Sequence, residues 1–307
     1  MLYRGSVFIA IFALSVSFQL GAEVADLSRV AGVTEENAKG ANLRPQVASR
    51  PIGFVTSLDT YHMFQRRETY LKIADLPLAE RVREMQKPEV KAAILKDSDM
   101  PVDQVGAMAN IHNLMRETAA FVIPVGDPVD YEPDLSQVLG ARAVAENREV
   151  ADVMYDFLVS NGGRDYAILM GANYLAGNHD VIHTMLSDPH TVTGLSDAGA
   201  HASQLCDACF ATDLLGRWVR DKGVLTLEQA IDHLCARPAA IFGLAERGRI
   251  AEGYAGDLVV FDPETVAPGS LERVHDLPAG ADRLISSPTG IRVVVVNGVV
   301  VRRDGKT

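Results

Sequence analysis

The sequence runs to 307 residues, 48% of them hydrophobic and 22% charged, a make-up that excludes disorder over most of the length. Against 29 basic residues the 40 acidic ones leave a formal charge of -11, which repels polyanions over most of the surface and argues against nucleic acid as a partner. Three cysteines make no disulfide framework, and Cys206-Asp-Ala-Cys209 lacks the second pair of a four-cysteine zinc site, so the thiols read as small core residues.

In chain order, Arg4 precedes an apolar run from Val7 to Val16, and Leu20-Gly21-Ala22 offers small residues for cleavage. That is the outline of a secretory signal peptide, and the run is too short for a comfortable transmembrane helix, so no stable membrane span is expected. Ser15, Ser17 and Gln19 also alternate with Val16, Phe18 and Leu20 as in a strand with two unlike faces. The first reading places the protein in the periplasm or outside the cell, the second in the cytoplasm. Glu23 to Gly40 reads as a polar helix ending near Gly40, and Leu43 to Val55 as extended chain. Ile73 to Leu95 reads as one helical segment, with Leu76, Leu78, Val82 and Met85 spaced for a buried face.

Phe121 to Val125 reads as a strand closed by the turn signal Gly126-Asp127-Pro128. Helices are expected at Val138 to Asn147 and Glu149 to Ser160, and short strands at Tyr166 to Met170 and Thr191 to Leu195. Strands alternating with helices predict a parallel α/β architecture. From Arg249 onward the pattern changes: Leu258 to Phe261, Ile291 to Val296 and Val299 to Arg302 read as strands, the last two joined by a hairpin at Asn297-Gly298.

Chemistry concentrates in Thr191-Val-Thr-Gly-Leu-Ser-Asp-Ala-Gly-Ala-His201, a short strand running into a turn. Parallel α/β folds place catalytic groups just past the C-terminal ends of strands, where Asp197 falls. Ser-Asp before Ala-Gly is also ordinary turn or helix-cap chemistry. His179 and His183 lie four apart, yet the sequence holds neither His-x-His nor His-Glu-x-x-His, and they read as helix-surface residues. His62, His112, His233 and His275 have no site-like spacing. Arg50, Arg66, Arg67 and Arg217 are available cations without a privileged position. Nucleophile-elbow, Walker and dinucleotide fingerprints are all missing, which removes serine hydrolases, NTPases and dinucleotide enzymes.

The run Gly194-Leu-Ser-Asp-Ala-Gly-Ala-His201, followed by Cys206-Asp-Ala-Cys-Phe, Leu214-Leu-Gly-Arg-Trp-Val-Arg220, Leu227-Glu-Gln-Ala and Arg249-Ile-Ala-Glu-Gly-Tyr-Ala-Gly-Asp-Leu-Val-Val-Phe-Asp-Pro263, resembles the C-terminal half of N-acyl-D-amino-acid deacylases, members of the amidohydrolase superfamily. Upstream, Leu43-Arg-Pro-Gln-Val, Arg50-Pro-Ile-Gly-Phe, Asp75-Leu-Pro-Leu-Ala-Glu-Arg81 and Gly126-Asp-Pro-Val-Asp-Tyr-Glu-Pro133 are similar to the same group's late barrel segments.

The resemblance implies an α/β fold: a partial metal-dependent TIM-type β/α barrel in residues 23–248, part of a small β-sandwich in 249–307, and an apolar leader or partial barrel strand in 1–22. It implies a zinc cofactor, a small N-acylated amino acid as substrate, and Asp197 as the catalytic acid/base and a possible metal ligand. It makes His201 a substrate-facing candidate. The family's early His-x-His has no counterpart in residues 1–42, which hold no histidine. About five candidate barrel strands can be counted against the eight that closure needs. The expectation is the later half of the pattern, its remaining metal ligands outside this sequence and its open barrel or sheet edges available for self-association. A non-catalytic scaffold and a cyclic-amide hydrolase of the same superfamily stand as alternatives.

Overall fold

The computed structural model describes residues 31–101, 113–174, 176–194, 203–204 and 209–307. Gly53–Gly171 together with Ser203 and Gln204 form one compact unit, and the other described residues form a second.

In the Gly53–Gly171 unit, β2 (Ile52–Thr56), β3 (Val122–Pro124) and β4 (Ala167–Ala172) make a sheet in the order β2-β4-β3. The pairing of β3 with β4 is antiparallel, with Val122 opposite Leu169 and Pro124 opposite Ala167. This pair departs from the parallel architecture expected. Pro124 is tolerated because it ends an edge strand, where a missing N–H removes no inner ladder bond. The helices beside this sheet are α2 (Glu68–Leu71), α3 (Leu78–Met85), α4 (Pro88–Lys96), α5 (113–117), α6 (Leu139–Glu146) and α7 (Val150–Val159). The segment expected as one helix from Ile73 to Leu95 is broken between α3 and α4. Pro88 has no N–H to continue the ladder from Leu78 and instead opens the next helix, where its fixed φ is suited to the first turn. Val82 and Met85 are buried as their spacing predicts.

The core of this unit gathers Leu58, Phe64, Met85, Ile94, Leu139, Val153, Leu158 and Leu169. Each such side chain, fully buried, contributes roughly 1.5–3 kcal/mol. Tyr155 places its ring edge-on to Phe64 and donates its hydroxyl to the Met85 carbonyl at 2.7 Å, which satisfies the one polar atom that packing would otherwise strand.

The second unit contains helix α1 (31–38) and the parallel pair β1 (Gln46–Val47) and β5 (Val192–Thr193), followed later in the chain by the C-terminal strands. Gly40, with φ +100°, ends the turn after α1. Helix α8 (Asp180–Ser187) precedes β5, and α9 (Phe210–Asp213) runs into a wide π-helical stretch, Leu214–Asp221. Helix α10 (Leu227–Ile231), started by a reciprocal cap between Thr226 and Gln229, passes through a second π stretch, Asp232–Ala236, into α11 (Arg237–Phe242). A Cβ on Gly216 would meet the Val266 carbonyl at 2.6 Å, so only glycine lets that stretch approach so closely. Ile182, Leu214, Trp218, Ala230 and Val266 are buried together there. Cys209 is buried as expected. Cys235, on the second π stretch, is exposed and corrects the reading of every thiol as a core residue.

The C-terminal strands are β6 (Leu258–Phe261), β7 (Leu271–Val274), β8 (Arg283–Ser286), β9 (Ile291–Val296) and β10 (Val299–Arg303). Asn297 and Gly298, at φ +49° and +79°, form the expected left-handed turn of the β9–β10 hairpin, and β6 pairs on the other side of β9. The β7–β8 hairpin has no clear sequence signal, because Arg273, Asp282 and Arg283 interrupt its apolar alternation; in the structure Arg273 pairs with Asp282. Among the described residues the strands form four separate open sheets of two or three strands, and no barrel closes.

Candidate functional site

Polar side chains are buried at one end of the β1–β5 pair. The strands run in register, Val47 opposite Thr193, with Gly194 N–H donating to the Val47 carbonyl at 3.0 Å. Both chains therefore leave the pair at the same end. Past β1 come Ser49 and Arg50, which are 0% and 2% exposed; past β5 comes Gly194, the last described residue before the segment that holds Asp197.

Helix α9 delivers Asp213 to this end, 1% exposed, and one helical turn later Arg217 Nε donates to Asp213 Oδ1 at 3.1 Å. Burial pushes the Asp213 carboxyl above its ordinary range, and the positive charges of Arg217 and Arg50 pull it back only in part. Its second oxygen, Oδ2, has no hydrogen-bond partner among the described residues. The Trp218 indole donates to the Ser49 carbonyl at 2.6 Å, and the Ser49 hydroxyl donates to the Phe210 carbonyl at 3.3 Å, so the turn after β1 is fastened to the helix that carries Asp213.

His179 immediately precedes α8 and is 4% exposed, its ring 5.4 Å from Tyr174 and 5.7 Å from Trp218. This corrects its assignment to a helix surface: it stands just before α8 with its ring buried beside Tyr174 and Trp218. His183, one turn on, is exposed as expected, with its ring 6.3 Å from Trp218. Arg50, expected to be an ordinary surface cation, is likewise buried, and its positive charge acts on Asp213 together with that of Arg217. Arg66 and Arg67 fall in the other unit, where Arg67 pairs with Asp99 at 3.0 Å.

A second group fixes β5 itself. Thr193 Oγ1 lies 3.1 Å from His233 Nδ1, and one turn beyond His233, Arg237 donates to the Thr191 carbonyl at 3.0 Å. Burial, reinforced by the neighbouring Arg237 charge, holds the His233 imidazole below its usual pKa. The sequence offered no spacing for His233, Asp213 or Arg50. The one available signal was the Leu214–Arg220 run, which places Trp218 and Arg217 on the segment after Asp213.

Asp197, His201 and Cys206 lie outside the described residues. Among the described residues no three His, Cys, Asp or Glu side chains come together to hold a metal ion. The described residues therefore do not by themselves make up a zinc site. Nor is any helix among them long and apolar enough to cross a membrane.

Residues 14–302 match the amidohydrolase family, and the chain belongs to that family. It is 44% identical over 90 residues to N-acyl-D-glutamate deacylase of Alcaligenes xylosoxydans xylosoxydans, a stretch covering 29% of this chain and 17% of that protein. It is 35% identical over 136 residues to D-aminoacylase of the same organism, covering 44% of this chain and 26% of the relative. Among solved structures it is similar to N-acyl-D-glutamate deacylase from Bordetella bronchiseptica, complexed with zinc and a phosphonate inhibitor, at 21% identity and a TM-score of 0.45 over 91% of this chain and 43% of that one. The chain thus spans less than half the length of these relatives.

Proposed function

We propose that this chain is a hydrolase of carbon–nitrogen bonds other than peptide bonds, acting on N-acyl-D-amino acids, with Asp197 as acid/base and His201 facing the substrate. The observation that carries this reading is the 44% identity over 90 residues to a protein named N-acyl-D-glutamate deacylase. The parallel β1–β5 pair supports it, because Asp197 follows the C-terminal end of β5 by four residues and that end already gathers Arg50, Asp213 and His179. In this reading residues 23–248 contribute to a β/α barrel and residues 249–307 to a β-sandwich.

An amide resists water, so the reaction needs a base to take a proton from the attacking water and an acid to return one to the leaving amine. One carboxylate can do both in turn. A bound zinc would supply carbonyl polarisation and a more acidic water. The described residues assign it no ligand set. The work of the described residues is to hold the strand end: Trp218 grips Ser49, and His233 with Arg237 grips β5.

The test is to purify the chain from zinc-supplemented culture, measure bound metal, and follow release of D-glutamate from N-acetyl-D-glutamate. Release that falls by about 10²-fold or more in Asp197→Asn supports the proposal. No release from metal-replete protein overturns it and leaves the non-catalytic scaffold as the reading.

A further inference from the structure

The β9–β10 sheet carries a cleft of about 300 Å³ lined by Thr265, Gly290, Arg292, Arg302, Asp304 and Gly305, among others. It is large enough for a small organic ligand. Three of these residues are charged, and the ladder explains why they meet. Arg302 pairs with Val294, Arg303 with Val293, and the Asp304 N–H donates to the Arg292 carbonyl at 2.8 Å. Residues opposite one another in an antiparallel pair share a face, as do residues two apart along a strand, so Arg292 and Arg302 are neighbours on one side.

Asp304 and Gly305 then turn the chain with φ of +46° and +81°, between Arg303 and Lys306, whose backbone groups exchange hydrogen bonds at 2.8 and 2.9 Å. The tight turn places Asp304 in the lining of the same cleft as Arg292 and Arg302. Arginines elsewhere in this chain commonly have a carboxylate partner: Arg148 with Asp152, Arg220 with Asp221, Arg247 with Asp257, Arg283 with Asp276. Neither Arg292 nor Arg302 forms an ion pair among the described residues, although Asp304 lines the same cleft and the protein as a whole carries a charge of -11. Two arginines and one aspartate thus line a single open cleft, Arg292 and Asp304 exposed and Arg302 half-buried, and their charges sum to +1.

The ligand that matches this set carries two carboxylates and one ammonium. We infer that the cleft binds a small α-amino acid with a carboxylated side chain, its two carboxylates on Arg292 and Arg302 and its ammonium on Asp304. Guanidinium groups suit the planar carboxylates, and the three-charge match separates this ligand from a simple anion, which Asp304 would repel. The site needs no catalytic step and stands whether or not the chain hydrolyses amides.

Isothermal titration of the full chain with D-glutamate, glutarate and inorganic phosphate tests the inference. D-glutamate should saturate with a Kd near or below about 1 mM, with glutarate and phosphate each weaker by about tenfold. R292A/R302A should weaken D-glutamate binding by at least about tenfold, and D304N should bring glutamate and glutarate to within about twofold of each other. Circular dichroism of each variant confirms the fold, and asparagine keeps the left-handed turn at position 304 because it tolerates that backbone. Absence of D-glutamate binding up to about 10 mM, undiminished binding in R292A/R302A, or equally tight binding of glutarate or phosphate to the unaltered protein would each overturn it.

Discussion

Trp218 and Ser49 are joined by a 2.6 Å hydrogen bond from the indole to a backbone carbonyl, and both residues are almost completely buried. The bond links the π-helical stretch after Asp213 to the turn that carries Arg50. Trp218→Phe keeps most of the ring and removes the donor, which leaves the Ser49 carbonyl buried without it. Urea denaturation should show a loss of about 1–3 kcal/mol. An unchanged midpoint would mean that solvent or another donor reaches Ser49.

Asp213 gives the protein a stability term that depends on pH. Its carboxyl is held above its ordinary range chiefly by burial, so between the unfolded and folded pKa values the folded chain binds more protons than the unfolded one. The associated stability is fully present below about pH 4, the unfolded value, and is lost as pH rises through the folded one. Asp213→Asn removes this term. The difference in urea midpoint between the two proteins should therefore shift in favour of the variant as pH is raised from 4 to neutrality, and a constant difference would contradict the assignment.

His233 acts with the opposite sign. Its folded pKa is depressed by burial and by Arg237, so its contribution is present above the unfolded value near 6.5 and is lost as pH falls through the folded one. His233→Asn should lower stability at pH 7.5, where the contact with Thr193 is lost, and should flatten the decline on acidification. A variant that declines as steeply as the parent below pH 6.5 would place the acid sensitivity elsewhere.

Gly53 sits where β2 meets β4. A Cβ there would lie 2.8 Å from Ile168 Cδ1 and 2.9 Å from the Leu169 carbonyl, and the second contact is with backbone that cannot rotate away. Gly53→Ala should destabilise the chain by about 1–3 kcal/mol, read as a lower urea midpoint. A smaller effect would show that the β2–β4 contact widens easily.

The parts of the fold that local physics dictates were legible in the sequence. Asn297-Gly298 supports the left-handed turn that a two-residue hairpin needs, and β9 and β10 form around it. Val82 and Met85 lie on the buried face their spacing assigns. Where the outcome depended on distant packing, the sequence was silent. Arg50 is buried in the turn after β1, which Trp218, far along the chain, holds through Ser49, and its charge acts on Asp213; no local pattern carries that information. The same holds for His179, whose place between Tyr174 and Trp218 looks in sequence like half of an ordinary i, i+4 pair with His183. The antiparallel pairing of β3 with β4 leaves no mark in the sequence, because strand–helix alternation is only a statistical sign of parallel sheets.

The π-helical stretch from Leu214 to Asp221 has a bearing on how sequences of this kind can vary. Each residue added to or removed from a helix turns everything beyond it by about 100°. Asp213 stands at the start of the stretch and Trp218 within it, so the wide turns fix the angle between a buried carboxylate and the indole that reaches Ser49. A one-residue deletion between them would keep every chemical group and still swing Trp218 away from its acceptor. Length here is as tightly specified as composition, and an alignment gap in this segment should disturb the β1 turn more than most substitutions within it.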